Sequence, residues 1–342
     1  MTTRVRTGVG LFGDMPMAEL ARTAREIEEM GYDDLWFGDE RFYRDVYVCL
    51  SQVSHATERI GLGVSVTNPY TRHPALTAVA AASVDELSGH RLKLGIGAGG
   101  SNHGPLGISR PRPRTAIKEM TEVVRRLWRG EEVDFHGKVI ELNSGRLDFT
   151  PEHADIPIYV AARGPETLKL AGQIADGAII GALSSEAGIR YARRQIAAGA
   201  ALAGRDAAEV DVVAWIYTSI SDDAAAARAA VARLVVNSLQ NSRDILAEIG
   251  LELPDDLRAF FERTLWSQAI DVVDEAAKLL PQHIVDQLSL TGTVREVAQK
   301  IERIALSGVR EIAVLPFAPA GGSRMEVVRR FQREVVPALN AG

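Results

Sequence analysis

Stretches of helical period alternate along the chain with short, almost wholly apolar runs. Met17, Leu20, Ala21, Ala24 and Ile27 fall at i, i+3, i+4, i+7 and i+10, which gathers one apolar stripe on a helix. Gly31 supplies the stop, and Leu35-Trp36-Phe37 follows as a buried strand. The same unit returns near the other end. Thr293 and Glu296 have the spacing of a capping box, Val294, Val297, Ala298, Ile301, Ile304 and Ala305 make the stripe, and Gly308 precedes Ile312-Ala313-Val314-Leu315.

Further apolar runs at 5–11, 62–66, 92–96, 158–161, 178–180 and 210–216 bring the predicted strands to eight. Strands apolar on both faces and separated by helices belong to a parallel sheet covered by helices. Eight units of about 30 residues use about 240, the usual size of an α/β (β/α)8 TIM barrel. No G-x-G-x-x-G turn follows the first strand, which favours the barrel over a doubly wound sheet. The chain has 342 residues, so roughly a hundred remain for insertions at the carboxyl-terminal face of a single barrel domain. They are expected at about 99–113, a Gly- and Pro-rich loop, at 131–157, a small hairpin, and at 236–293, a helical segment broken at Pro254 and Pro281. The last is expected to cover the barrel mouth and select substrate.

Composition narrows the function classes. Hydrophobic residues at 46% and charged residues at 25% exclude a disordered chain. A net charge of −6 without a dense basic cluster argues against nucleic acid. Cys49 is the single cysteine, so an internal disulfide and a cysteine zinc site are excluded; its helical setting reads as core packing. No apolar stretch is long enough for a membrane span, and no secretion signal is visible, so a cytoplasmic protein is expected. His55, His73, His90, His103, His136, His153 and His283 lie in separate segments without the i, i+4 spacing of a helical zinc pair, so no metal site is expected.

In a barrel, chemistry gathers at the carboxyl ends of the strands. Asp39-Glu40 leave strand two as adjacent carboxylates; they serve either a cofactor hydroxyl and acid–base work, or local ion pairs with Arg41 or Arg44. Gly97-Ala98-Gly99-Gly100 is either a phosphate cradle or a tight loop without a ligand. Ala162-Arg163-Gly164 adds an arginine to the N–H groups at a helix start, a better anion site.

The run Gly63-Val64-Ser65-Val66-Thr67-Asn68-Pro69-Tyr70-Thr71-Arg72-His73-Pro74, with Ser83 to Gly89, Leu94 to Gly99, Ala161 to Pro165 and Ala175-Asp176-Gly177, resembles the luciferase-like superfamily. Within it the chain is most similar to coenzyme F420-dependent reductases of the methylenetetrahydromethanopterin reductase type. The resemblance spans nearly the whole chain, and its Thr-Asn-Pro-Tyr segment is the most specific part. It implies a barrel holding a deazaflavin, with a non-proline cis peptide at Ser65-Val66 against the back of the ring. It further implies that Asp39 and Thr67 contact the cofactor, and that Gly97, Ala98, Gly99, Ala162, Arg163 and Gly164 hold its phosphate and neighbouring groups. Many relatives carry His directly after the strand-two Asp, where this chain has Glu40. The expected enzyme is therefore an F420-dependent oxidoreductase acting on a small or medium organic molecule, with Glu40 as first candidate for proton transfer and Tyr43 and His73 in reserve. A homodimer is implied by the resemblance. The rival readings are an FMN-dependent monooxygenase on the same fold and a barrel that binds a flavin without catalysis.

Overall fold

The computed structural model describes residues 4–40, 42–99, 104–181, 183 and 185–339. Arg41, Gly100, His103 and Ala182, which enter the sequence argument, lie outside the described residues. The strands are β1 (Arg6–Phe12), β2 (Asp34–Gly38), β3 (Gly61–Thr67), β4 (Leu92–Ile96), β5 (Val133–His136), β6 (Glu141–Gly145), β7 (Ile158–Ala162), β8 (Gly177–Gly181), β9 (Asp211–Ile220), β10 (Leu290–Gly292) and β11 (Glu311–Pro316). Each of the eight apolar runs has become one of β1, β2, β3, β4, β7, β8, β9 and β11, and the chain folds as a (β/α)8 barrel. β5 and β6 pair as an antiparallel hairpin inside residues 131–157. β10 was not expected: three residues are too few to carry a period.

Two compact units partition the chain. The first consists of Gly10–Ile179 and Gln195–Asp211, and contains the order β2-β3-β4-β7-β8. Its β2–β3, β3–β4 and β4–β7 pairings are parallel. Trp36, Phe37, Leu50, Leu62, Leu94 and Trp128 are fully buried in its core, and the Trp128 indole N–H donates to the Ala78 carbonyl at 3.0 Å. Burying each such side chain contributes about 1.5–3 kcal/mol. The hairpin is fastened by one carboxylate: Glu119, on the helix Pro113–Trp128, accepts the N–H groups of Lys138, Val139 and Ile140 at 2.7, 2.9 and 2.9 Å.

The second unit consists of Met1–Val9, Ile180–Arg194 and Val212–Gly342. Here β10, β9, β11 and the start of β1 are neighbours in that order, all parallel. The helix Ala224–Ser242 runs through residue 236, where the sequence placed an insertion boundary; its Ala-rich pattern holds no stop signal there. Pro254 and Pro281 each stand directly before a helix, Asp255–Arg263 and Gln282–Leu288, since proline is tolerated at a helix start and not inside. The capping box read from the sequence is formed: Thr293 accepts from the Glu296 N–H, and Glu296 accepts from the Thr293 N–H at 2.7 Å. Arg228 joins Glu296 at 2.6 Å and Asp286 at 3.0 Å.

The Thr293 N–H and the Arg228 guanidinium hold the Glu296 carboxyl down from its ordinary 4.5 to about 2. A depressed folded-state value means that the ionised group stabilises the fold above pH 4.5, and that this contribution is lost as pH falls toward 2. Glu296→Gln should therefore lower stability at pH 7, with the gap to wild type closing as pH approaches 2. Denaturant midpoints across that range measure it; a gap independent of pH would remove Glu296 from the acid response.

Candidate functional site

The site is assembled wholly in the first unit, from the carboxyl ends of β2, β3, β4 and β7. Because these strands are consecutive neighbours, their ends form a row about 14 Å across, three strand spacings. Asp39 and Glu40 follow β2 directly. Gly38 leaves room for the Phe12 ring, whose nearest atom would stand 2.5 Å from a Cβ there, and Phe12 packs against Tyr43 at 5.9 Å between ring centroids. The loop is tied to the end of β1 by Arg44, whose backbone N–H and guanidinium both donate to the Gly13 carbonyl, at 3.2 and 3.1 Å. Asp45 then caps the helix Val46–Ala56 by accepting the N–H groups of Tyr47 and Val48, and pairs through its other oxygen with Arg72.

Asp39 is half-buried, and burial raises its carboxyl from the ordinary value; the Thr67 hydroxyl and Arg72 oppose that shift, and Asp45 adds to it. Behind Asp39 lie three buried hydroxyls, those of Tyr47, Thr67 and Thr77. Burial first, and the Asp39 charge second, push the Tyr47 phenol upward. Thr67 and Thr77 are its hydroxyl neighbours, yet none of the three oxygens reaches hydrogen-bonding geometry with a described residue. The Arg72 guanidinium lies 5.0 Å above the Tyr47 ring. Tyr47, Arg72 and Thr77 were missed from the sequence. Asp45 announces a helix cap, but only the packing of that helix on the next brings these side chains to Asp39.

At the end of β3 the Ser65-Val66 peptide bond is cis, and the register against β4 shifts between Val64 and Thr67. Ser65 and Val66 are partly exposed. A Cβ at Gly97 would meet the Val66 Cγ2 at 2.6 Å, while the Gly97 N–H donates to the Thr67 carbonyl at 2.9 Å. Ala98 and Gly99 are half-buried; Gly99 has φ 73° and its carbonyl accepts from Arg110 at 2.6 Å. Ala162 is buried at the end of β7 and Arg163 is half-buried, its guanidinium making no hydrogen bond or ion pair among the described residues. Gly164 is exposed and precedes the helix Pro165–Ile174 without a side-chain cap; a Cβ there would meet nothing within 4 Å. Open N–H groups beside an arginine suit an oxyanion.

The proton-transfer candidates fare unequally. Glu40 is exposed where the chain leaves β2. Tyr43 is 49% exposed beside Phe12, and its N–H donates to the Glu40 carbonyl. His73 is engaged on both nitrogens: Nδ1 accepts from the Ala75 N–H at 3.2 Å, capping the helix Pro74–Leu87, and Nε2 donates to the Glu141 carbonyl at 2.9 Å. Those bonds make it a clasp between helix and hairpin. Away from these strand ends, His90 and His153, from separate segments, meet beside Asp85.

Fold and strand-end residues together define a barrel with polar groups gathered at the carboxyl ends of β2, β3, β4 and β7. The luciferase-like monooxygenase family profile matches residues 1–311, and the chain belongs to that family. The 5,10-methylenetetrahydromethanopterin reductase of Methanolobus tindarius is 32% identical over 333 residues, covering 96% of this chain and 99% of the reductase. The enzyme of the same name from Archaeoglobus fulgidus is also 32% identical, over 98% of this chain and 100% of its own. Among solved structures, the coenzyme F420-dependent tetrahydromethanopterin reductase of Methanopyrus kandleri superposes with a TM-score of 0.85 at 27% identity, covering 98% and 100% of the two chains.

Gly97→Ala should destabilise the fold by about 1–3 kcal/mol through overpacking against Val66. Val66→Ala should relieve part of that loss, giving a favourable coupling in a double-mutant cycle read by denaturant unfolding. Strict additivity would place the clash elsewhere.

Proposed function

We propose that the chain is a coenzyme F420-dependent oxidoreductase transferring a hydride between the deazaflavin and a small or medium organic substrate. The observation that carries this reading is the group of orphaned hydroxyls of Tyr47, Thr67 and Thr77 packed behind Asp39 at the β2 and β3 ends, in a chain collinear with named reductases. An unsatisfied buried hydroxyl costs about 1–3 kcal/mol, so three at one strand end make poor packing and a good lining for a heterocycle edge bearing donors and acceptors. The residues present fit such a cofactor.

When bound, F420 supplies the hydride donor or acceptor. Asp39, backed by Thr67, would hold the polar edge of the ring and set its orientation. Ser65 and Val66 would form one wall of the ring site, and Gly97, Ala98 and Gly99 keep side chains from the adjoining backbone. Arg163 and the uncapped N–H groups of the helix start after Gly164 would take the phosphate. Glu40, with Tyr43 beside it, would carry the accompanying proton. His73 is left out because both of its nitrogens are committed. The nature of the substrate differs from relatives with His after the strand-two Asp, because a carboxyl group cannot reproduce an imidazole's two-sided hydrogen bonding.

No described helix is long and apolar enough to cross a membrane. A cytoplasmic homodimer is the assembly we favour; Val48 on one helix and Leu76, Val79 and Leu87 on its neighbour are exposed apolar residues available to a second copy.

Titration of the purified chain with F420 and with FMN should give saturable binding of F420 and much weaker binding of FMN. The reverse order would support the monooxygenase reading. Glu40→Gln should lower kcat about 100-fold with F420 affinity unchanged, and an unchanged kcat would remove Glu40 from proton transfer. Arg163→Ala should weaken F420 far more than its phosphate-free deazaflavin fragment; equal weakening would move the phosphate away from Arg163.

A further inference from the structure

At the opposite ends of the same strands, Asp85, His90 and His153 converge. Asp85 sits in the last turn of the helix Pro74–Leu87 and is 2% exposed. Its Oδ1 accepts the Leu92 N–H at 3.2 Å, which fixes the carboxylate plane. Its Oδ2 faces two imidazoles, 2.9 Å from His90 Nδ1 and 3.4 Å from His153 Nδ1. His90 is held in place by a left-handed backbone, φ 64°, and by its N–H donating to the Asp85 carbonyl at 2.8 Å. His153 comes from the irregular segment before β7; its Nδ1 is buried, aimed at Asp85, and has no hydrogen-bond partner among the described residues. The two rings meet edge to face at 5.4 Å.

We propose that Asp85, His90 and His153 bind a divalent transition-metal ion of the zinc type, joining the turn before β4 to the segment before β7. One ligand atom from each residue lies within 4.8 Å of the other two. Tetrahedral zinc with bonds of about 2.0–2.1 Å places its ligands about 3.3 Å apart, and the measured separations of 2.9 and 3.4 Å bracket that value. Two imidazoles and one carboxylate select zinc-like ions over magnesium or calcium, which take oxygen ligands. The carboxylate oxygen not facing the histidines is occupied by a backbone N–H, the outer-shell support such sites use. Glu152, whose Oε2 lies 3.5 Å from His90 Nε2, holds the ring from its other nitrogen, and water would supply the fourth ligand. The amino-terminal ends of barrel strands serve stability rather than catalysis, so the ion acts as a structural clip.

The test uses tag-free, chelator-treated protein, titrated with Zn2+ by calorimetry and with Co2+ by visible absorption. Wild type should take up one equivalent, show the absorption of four-coordinate cobalt and gain thermal stability with Zn2+. His153→Ala breaks no hydrogen bond, and His90→Asn keeps a residue type tolerant of the left-handed backbone, so both should remain folded by circular dichroism. Both should lose the stoichiometric uptake, the cobalt spectrum and the stabilisation, whereas His136→Ala, at an exposed histidine beside Asp134, should keep all three. Absence of saturable uptake in wild type, uptake surviving in either site variant, or loss in His136→Ala would overturn the proposal.

Discussion

The carboxyl ends of β2, β3 and β4 are organised by one steric constraint, the lack of side chains at Gly95 and Gly97. Val64 pairs with Leu94 and Thr67 with Ile96, so β3 spends three residues where β4 spends two. That extra residue is a bulge, and since side chains alternate along a strand it inverts the face on which Thr67 stands. The bulge drives the Val64 carbonyl to within 2.0 Å of where a Cβ on Gly95 would lie, and the Val66 side chain over Gly97. Backbone cannot yield as a flexible side chain can, so Gly95 is the stricter of the two positions. Thr67 reaches its buried place beside Asp39 and Tyr47 because β4 offers that space.

Electrostatics then settles what the bulge has brought together. Asp39 and Asp45 repel, and Arg72 answers both: it pairs with Asp45 and opposes the rise that burial imposes on Asp39. The Arg72–Asp45 pair is part-exposed, and such pairs contribute about 0–1 kcal/mol. Its larger effect is positional. Asp45 must stay in place to cap the helix that carries Tyr47, a cap worth about 1 kcal/mol, and Tyr47 in turn closes the floor behind Asp39. Loss of Arg72 would thus reach Asp39 through a helix start as well as through the lost charge.

What the sequence made legible was whatever depends on local order. The eight apolar runs appear as the barrel strands, the Thr293–Glu296 capping box forms, and Pro254 and Pro281 mark helix starts. β10 escaped because Leu-Thr-Gly is too short to show a period. The row of Asp39, Thr67, Gly97 and Ala162 could be placed at strand ends from spacing and from resemblance, but Tyr47, Thr77 and Arg72 reach it only through helix packing. The histidines show the same limit of local order. His73, beside a specific motif, is consumed as a cap, whereas His90 and His153 lie far apart in sequence and share one carboxylate. Spacing reports ligands carried on one element and is silent about those contributed by two.

The glycines after β4 show how a weak motif resolves. Gly97-Ala98-Gly99 admitted a phosphate cradle or a bare tight loop, and each glycine has acquired its own cause. Gly97 yields space to Val66, and Gly99 adopts a left-handed backbone while its carbonyl is taken by Arg110. Neither requirement needs an anion. Gly164 differs, since a Cβ there would be unobstructed and the helix behind it has uncapped N–H groups next to an arginine without a partner among the described residues. The proposed division of labour therefore puts the anion at the β7 end of the row and orientation at the β2 end, about 14 Å away. A chain of net charge −6 can hold an anion under that division, because one local guanidinium and a helix start outweigh distant charges that salt screens within about 10 Å.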